Sequence, residues 1–356
     1  MTRRGTGILV ALVALVAAGA SGAAWLASGS GGAPPGRPTP TDPVPRVRAP
    51  RGSVPTERLL AALPLLRSAG RILYTTPACR LGIVEVATGR ITVPRPDVTT
   101  CAARFGGRTA AVALVEPKER TNRTTLTRLA GGPAGDRTIR LPGLLEDLAI
   151  SPRGEIAACV GGGLADAART TLVVTLDGDG VADQVPGCNP AWWDGRLAWI
   201  DRRSRLVVGS RVIALGRSLF PETIGASTDG RVLAVLSTGG SDTAVVSVLR
   251  AGSTVPVHRL VLREPPALSS PTIRIASDGA VLALRGDAGQ WTLYRTDSSV
   301  PPARDVAGEP VSDVAFAPDS RAVGVLAGRR LVFLDPETLG PVSQLPVRAR
   351  TIDWQP

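Results

Sequence analysis

The amino-acid sequence predicts an all-β protein, a seven-bladed β-propeller preceded by one N-terminal transmembrane helix, with six or eight blades as the alternatives to seven. Three observations lead to this prediction. A unit built around a tight turn recurs about every 42 residues through most of the chain. Each unit holds about four short strand-like runs. A run of uncharged residues, long enough for a membrane helix, lies close to the N-terminus.

The uncharged run covers residues 8–27 and would span roughly 30 Å as a helix. Arg3 and Arg4 precede it, so the positive-inside rule places residues 1–7 in the cytoplasm and the remainder of the chain outside. The same run also fits a signal peptide cleaved after Ala20, which would make the protein secreted. Both interpretations export the rest of the chain, and a retained single-pass signal-anchor in the cell membrane is the favoured one.

Two segments connect this helix to the repeats. Residues 28–55 begin with Ser and Gly and continue into a Pro-rich stretch, a composition typical of a linker that holds a domain away from the membrane. Residues 56–68 carry five leucines after a Thr56 cap and predict a short helix. The propeller domain is expected over residues 69–356.

Each repeat is aligned on a turn residue, usually Gly, that is followed by an apolar run. Asp-Gly between two apolar runs, as at Asp229-Gly230 and Asp278-Gly279, is a strong signal for a β-hairpin. Successive turn residues are 35 to 49 residues apart. The turn residues are Gly70, Gly107, Gly154, Gly195, Gly230, Gly279 and Ser320.

Four strands in about 42 residues make the blade of a β-propeller. The turns Ser151-Pro152-Arg153-Gly154 and Ala317-Pro318-Asp319-Ser320 resemble the WD40-like repeats of the TolB-type propellers. No Gly-His or Trp-Asp pair recurs, which separates the chain from true WD40 repeats. The resemblance covers residues 69–356 through a short, degenerate motif. It implies the propeller fold and says little about function.

The two ends of the propeller domain are predicted to pair with each other. Residues 350–356 match an inner strand that stops where a partner strand is required, and the residues from Gly70 onward supply such a partner. Their pairing would complete the last blade and leave no open sheet edge.

Four cysteines in an exported domain permit three pairings. The repeat favours one of them. Cys79 and Cys159 follow their turn residue, in the second-strand region of a blade, while Cys101 and Cys188 precede the next turn residue, in the first strand of the next blade. We therefore expect the disulfides Cys79–Cys101 and Cys159–Cys188, with four buried free thiols as the alternative.

The net charge is +11, from 41 basic and 30 acidic residues. Only Lys118 among the basic residues is a lysine, a bias typical of a GC-rich bacterial genome. No dense basic stripe occurs beyond the N-terminal segments, so nucleic acid is not expected as a partner.

Five arginines follow the turn residue at equivalent positions and would give one face of the disc a positive field toward anionic lipid or cell-wall polymer. The alternative is that arginine is simply the commonest polar residue available for exposed turns. These arginines are Arg71, Arg108, Arg196, Arg231 and Arg321.

The sequence lacks the common combinations of catalytic residues. His258 is the only histidine and cannot alone form a multi-histidine metal site or a Ser-His-Asp triad. The Gly-x-Ser-x-Gly pattern of a nucleophile elbow does not occur. The cluster of Trp192, Trp193 and Trp199 has two interpretations, a platform for a carbohydrate or peptide ligand and ordinary core packing.

These observations predict a non-catalytic extracytoplasmic protein that binds or scaffolds other components while tethered to the cell membrane. The expected partner is an envelope protein or a cell-wall polymer, the propeller is expected to be monomeric, and no cofactor or metal ion is implied. The alternative is an extracytoplasmic hydrolase or lyase with a carboxylate-based site in the central channel, since some propellers carry such sites.

Overall fold

The computed structural model describes residues 70–105, 112–118, 123–129, 135–161, 169–175, 181–216, 218–239, 243–262 and 271–355. The predicted N-terminal segments 1–7, 8–27, 28–55 and 56–68 lie outside the described residues, as does Arg108. The described ranges form β-strands and turns, without an α-helix. None of their elements is a helix long and apolar enough to cross a membrane.

Short apolar runs separated by Gly-containing turns divide the chain into strands. The strands are β1 (Arg71–Thr75), β2 (Leu81–Glu85), β3 (Arg90–Thr92), β4 (Ala103–Phe105), β5 (Val112–Lys118), β6 (Arg123–Leu129), β7 (Arg137–Pro142), β8 (Leu144–Ile150), β9 (Glu155–Gly161), β10 (Thr170–Thr175), β11 (Val181–Pro186), β12 (Cys188–Trp193), β13 (Arg196–Ile200), β14 (Leu206–Val208), β15 (Arg211–Ile213), β16 (Phe220–Ala226), β17 (Val232–Thr238), β18 (Ala244–Arg250), β19 (His258–Leu262), β20 (Thr272–Ile275), β21 (Val281–Arg285), β22 (Trp291–Arg295), β23 (Asp305–Val306), β24 (Glu309–Phe316), β25 (Val323–Ala327), β26 (Arg330–Leu334), β27 (Pro341–Leu345) and β28 (Thr351–Trp354).

Within the described residues these strands form seven antiparallel sheets, in which strands that follow one another along the chain lie side by side. The sheets are β28-β1-β2-β3, β4-β5-β6-β7, β8-β9-β10-β11, β12-β13-β14-β15, β16-β17-β18-β19, β20-β21-β22 and β23-β24-β25-β26-β27. One strand of each sheet lines a common central cavity, and we call it the inner strand. The inner strands are β28, β4, β8, β12, β16, β20 and β24.

Two sheets depart from four strands. The sheet β20-β22 has three, and an isolated bridge between Leu293 and Ala303 occupies its outer edge. The sheet β23-β27 has five, because the two-residue strand β23 pairs with the inner strand β24.

The first sheet joins the two ends of the described chain, as the sequence predicted. Strand β28 pairs antiparallel with β1, with Ile72 opposite Trp354. Arg71 reinforces this pairing, because its Nε donates to the side chain of Gln355 at 2.8 Å and its carbonyl accepts the Gln355 N–H at 2.9 Å. The inner edge of β1 is therefore covered by the last strand.

The predicted Asp-containing turns connect inner strands to second strands. At Asp229, Oδ1 accepts the Arg231 N–H at 3.0 Å while Gly230 adopts a φ of 72°, a left-handed conformation that glycine takes without a steric penalty. The Asp278 and Asp319 carboxylates accept the N–H two residues ahead in the same way. These aspartates therefore shape the turns.

The core lies between adjacent sheets, where apolar side chains interleave. At one interface Ile72, Val84 and Trp354 meet Phe333 of the neighbouring sheet, with the two aromatic rings edge-on and 5.8 Å apart. Comparable apolar clusters occupy five further interfaces between neighbouring sheets. The interface between β8-β11 and β12-β15 has no such cluster within the described residues and is crossed by the Cys159–Cys188 disulfide.

Candidate functional site

The inner strands surround a central cavity of about 630 Å³, and each of the seven contributes lining residues. Because they are the first strands of their repeats, equivalent positions in the sequence reach the same depth in this cavity. Charged side chains of β4, β8, β20 and β28, together with Asp313 of β24, gather there. We call this set the channel ring; it consists of Arg104, Asp147, Arg274, Asp313 and Asp353.

Two of the ring aspartates occupy the same local structure. Asp147 of β8 and Asp313 of β24 each follow a β-bulge, where the register against the second strand shifts by one residue. A bulge changes the direction in which the neighbouring side chains point. Each carboxylate also accepts the N–H of the next residue, at 2.8 Å from Leu148 and 3.0 Å from Val314.

Both carboxylate oxygens of Asp313 have bonding partners. Its Oδ1 lies 3.0 Å from Nη1 of Arg274, and its Oδ2 accepts the N–H of Ile352, in the next inner strand, at 2.8 Å. Arg274 also donates to the Val314 carbonyl and lies over the ring of Trp291 at 4.7 Å. Burial, and then the charge of Arg104, lower the pKa of Arg274 to about 10. The guanidinium nevertheless stays charged at neutral pH.

Asp353 makes the same kind of contacts as Asp313, but with the inner strand of the following sheet. Its Oδ2 accepts the N–H of Phe105, in the inner strand of the following sheet, at 2.6 Å. Its Oδ1 lies 3.6 Å from Nη1 of Arg104. Burial raises the pKa of Asp353, and the Arg104 charge opposes that rise. Asp313 and Asp353 therefore fasten three successive sheets at their inner strands.

Asp147 differs from both, because no ion pair to it occurs in the described part of the chain. Burial raises its pKa to about 6, against the lowering effects of the Leu148 N–H and of the Arg104 and Arg274 charges. Its carboxylate can therefore gain or lose a proton close to neutral pH. The adjoining Glu146 forms an ion pair with Arg169 at 3.0 Å.

Two disulfides are present, as predicted, and they join the expected cysteines. Cys79, in the turn after β1, is bonded to Cys101, which stands two residues before the inner strand β4. Cys159 of β9 is bonded to Cys188 at the start of the inner strand β12. Each bridge thus connects the second strand region of one sheet to the inner strand of the next. Such bridges are typical of an oxidising, extracytoplasmic environment.

The predicted arginine positions are occupied as follows. Arg196, Arg231 and Arg321 are exposed at the turns that join first and second strands, and Arg231 lies 3.8 Å from Asp229. Arg71 is only half-buried and is hydrogen-bonded to Gln355. Three of the four described arginines therefore face solvent, and each stands two residues after the aspartate of its turn.

Trp192, Trp193 and Trp199 are all buried, with 8%, 4% and 8% of their area exposed. Trp193 packs in the apolar cluster between its own sheet and the next, and Trp192 lines the central cavity. A stacking platform needs an exposed aromatic face, so the burial of these rings favours the packing interpretation over an external ligand platform.

Sequence reasoning missed the channel ring. One signal was available, since Asp147 and Asp313 both stand seven residues before the turn residue of their repeat, at Gly154 and Ser320. Nothing comparable identified Arg104 or Arg274, because a single arginine in a short strand has no distinguishing pattern.

No protein-family model matches the chain, and no curated protein matches it. Its structure is similar to that of a Bacteroides fragilis protein proposed to be a 6-phosphogluconolactonase, with 12% identity, a TM-score of 0.53, and coverage of 79% of this chain and 96% of that one. It is similar to KlHsv2 with loop 6CD replaced by a Gly-Ser linker, with 14% identity, a TM-score of 0.52, and 76% and 90% coverage.

A third similar structure is the β-propeller domain of Myceliophteria thermophila Cps50 (Swd1), with 14% identity, a TM-score of 0.50, and coverage of 72% of this chain and 90% of that one. At such low identities the similarity is evidence for the fold alone. The described part of the chain is accordingly all-β and has the β-propeller fold, which confirms that part of the sequence prediction.

Proposed function

We propose that the chain is a non-catalytic, seven-bladed propeller outside the cytoplasm that binds or scaffolds envelope components. Residues 8–27 would tether it to the cell membrane. The seven sheets and the closing pair β28-β1 support the blade number. The two disulfides support an oxidising compartment. A rigid disc with exposed turns on both faces is suited to hold a partner against a surface.

The observation that carries this proposal is the use of the channel carboxylates. A glycosidase-type or lyase-type site needs a pair of carboxylates free to exchange protons or attack a substrate. In the channel ring, Asp313 and Asp353 each accept a backbone N–H from the next inner strand and face an arginine. These two carboxylates hold neighbouring sheets together. Asp147 is thus the one carboxylate of the channel ring that is available for proton transfer.

Asp147 is also the observation that favours the second candidate function, an extracytoplasmic hydrolase or lyase. A carboxyl group with a pKa of about 6 in a cavity is suited to act as a general acid. Glu146 and Glu222 also line the cavity, so either carboxylate could supply the second reacting group that this candidate requires.

The partner-facing surface in this proposal is the face formed by the turns between first and second strands. Arg196, Arg231 and Arg321 extend from it into solvent. Arginine at such positions suits anionic lipid headgroups or anionic cell-wall polymer, with binding that weakens as salt screens the charges. We propose that a single copy of the disc lies with this face toward such a surface.

Site-specific photo-crosslinking in intact cells tests the proposed function. A photoreactive residue at Arg231 or Arg321 should give adducts of discrete mass, while the same residue at Val261, exposed on an outer strand, should give none. Absence of adducts from the turn face, or equal adducts from Val261, would contradict the proposal. A reporter fused after Pro356 tests the compartment, since activity in the cytoplasm would contradict export.

Binding to anionic vesicles at low salt tests the charged face. Replacement of Arg71, Arg108, Arg196, Arg231 and Arg321 by Ser should abolish binding. A control with equal net charge replaces five exposed arginines that lie in or directly beside the loops between second and third strands, on the opposite face, and should bind as the parent does. These control positions are Arg80, Arg202, Arg203, Arg285 and Arg329. Equal loss of binding by both variants would show that only net charge matters.

A further inference from the structure

The disulfide between β9 and β12 has a carboxylate beside it. The carboxylate oxygen of Glu146 and the sulfur atoms of Cys159 and Cys188 all lie within 4.8 Å of one another. Glu146 is the extra residue of the β8 bulge, which lies between Leu145 and Asp147, and Asp147 stands opposite Cys159. The bulge thus directs Glu146 toward the disulfide.

Other segments of the same chain hold the Glu146 carboxylate in place. One oxygen, Oε2, accepts a hydrogen bond from Nε of Arg169 at 3.0 Å. The other, Oε1, lies over Gly161, where the Cβ of any other residue would approach it to 2.1 Å. The position of the Glu146 side chain therefore depends on the absence of a side chain at residue 161.

The two sulfur atoms would stay close together if their bond were broken. Cys159 lies within β9, which is hydrogen-bonded on both sides, to β8 and β10. Cys188 pairs with Ile200 across the adjacent strand β13. Because these ladders fix both backbones, reduction would release two thiols that still face each other and Glu146.

We propose that Glu146, Cys159 and Cys188 form a binding site for a thiophilic divalent cation such as Zn²⁺ when the disulfide is reduced. Two thiolates and a carboxylate are three of the four ligands that Zn²⁺ takes in tetrahedral sites. All three residues line the central cavity, so a water molecule from the cavity can serve as the fourth ligand.

The reduction step is a two-electron transfer from a dithiol. The dithiol is oxidised to its own disulfide, and its two protons pass to the sulfur atoms of Cys159 and Cys188. Zn²⁺ then displaces these two protons as it binds the thiolates. While the disulfide is intact, its sulfur atoms have no thiolate to offer, so the oxidised protein should not bind the ion at this position.

The second disulfide provides an internal control. Cys79 and Cys101 are joined in the same way, but in the part of the chain that the structure describes the only cluster of three metal-ligating side chains is the one that includes Glu146. Reduction of that bridge should expose two thiols without creating a site.

The test uses the full chain in detergent, reduced with a phosphine and titrated with Zn²⁺ alone. We expect one Zn²⁺ per reduced chain and none per oxidised chain. Bound Zn²⁺ should protect Cys159 and Cys188, but not Cys79 and Cys101, from alkylation that is mapped by mass spectrometry. Absence of Zn²⁺ binding after reduction, or equal protection of all four thiols, would overturn the proposal. This experiment needs no variant.

Two variants sharpen the assignment. Glu146→Gln keeps the shape of the side chain but weakens a ligand, and should lower the Zn²⁺ affinity by more than about tenfold. Cys79→Ser/Cys101→Ser should retain one Zn²⁺ per reduced chain. Unchanged affinity in Glu146→Gln, or loss of Zn²⁺ in the Cys79/Cys101 variant, would show that the ion binds elsewhere.

Discussion

Asp147 and Asp313 share a position in the repeat but differ in their contacts with the neighbouring sheets. Both follow a bulge in an inner strand and both bond to the N–H of the next residue. Asp313 in addition faces Arg274 and accepts a backbone N–H from the following sheet. Asp147 has neither contact among the described residues. The same bulged local structure therefore has two outcomes. Asp313 bonds neighbouring sheets together, whereas Asp147 has no ion pair among the described residues and has a pKa of about 6.

The difference arises from the neighbouring sheets. Asp313 is followed round the ring by β28, whose Ile352 N–H points toward it, and is preceded by β20, which supplies Arg274. Asp147 is followed by β12, where Cys188 forms the disulfide with Cys159 instead. In a repeat protein the role of a residue is thus decided by the pair of units that flank it.

Removal of the Asp313 carboxylate should have the largest effect. Asp313→Ala leaves the buried charge of Arg274 and the N–H of Ile352 without their partner, which should lower the free energy of unfolding by about 3–5 kcal/mol. Asp147→Ala should change it by less than about 1 kcal/mol at pH 5. Chemical denaturation measures both values.

A second substitution tests how much of the stability lost in Asp313→Ala is due to the unpaired charge of Arg274. Arg274→Met removes the orphaned charge from the Asp313→Ala background and should restore part of the lost stability, about 1–3 kcal/mol. If Asp147→Ala proved as damaging as Asp313→Ala, the contrast between the two positions would be wrong.

Asp353→Ala should have an intermediate effect. This substitution leaves the Phe105 N–H without its acceptor, while Arg104 is partly exposed and can be solvated. We expect a loss of about 1–3 kcal/mol, the usual cost of an unsatisfied buried donor. Asp353→Asn retains an acceptor and serves as the matched control, with a smaller loss measured by the same denaturation. Equal losses in both variants would instead indicate that the charge of Asp353 is the important property.

The smallest effect should appear at Asp147 and should depend on pH. Burial raises its pKa to about 6, from an ordinary value of 3.8, so the folded state binds a proton more tightly than the unfolded chain. Its contribution to stability is therefore complete below about pH 4 and is lost as pH rises to about 6 and above.

Asp147→Asn removes this titration. Relative to the parent, the variant should gain about 1–2 kcal/mol at pH 7.5 and nothing at pH 4, as measured by denaturation across that range. The same difference at both pH values would place the carboxyl group in a solvated environment and remove the contrast with Asp313.

The sequence was sufficient for the features that depend on local chemistry and repetition. Apolar runs around Asp229-Gly230 and Asp278-Gly279 predicted hairpins, because turn geometry is encoded in two or three adjacent residues. The repeat also placed Cys159 and Cys188 at equivalent ends of neighbouring sheets. The pairing of residues 350–356 with the start of the domain followed from the need for a partner strand.

The channel ring could not be predicted in the same way. Whether Arg274 faces Asp313 depends on how two sheets distant in sequence are rotated against each other, and no local pattern records that rotation. The burial of Trp192 and Trp199 could not be predicted either, because a cluster of tryptophans in the sequence is the same whether its rings are buried or exposed.

The pairing of β28 with β1 has a consequence for the order of events in folding. Ile72 and Trp354 are partners although almost the whole domain lies between them. A contact of such high sequence separation forms late, because the closure of a long loop must come before any gain from the contact. Until Thr351–Trp354 docks, β1 keeps a row of unpaired N–H and C=O groups, a template for association with another chain. The protein is therefore most prone to associate with another chain in the interval between formation of β1 and docking of β28.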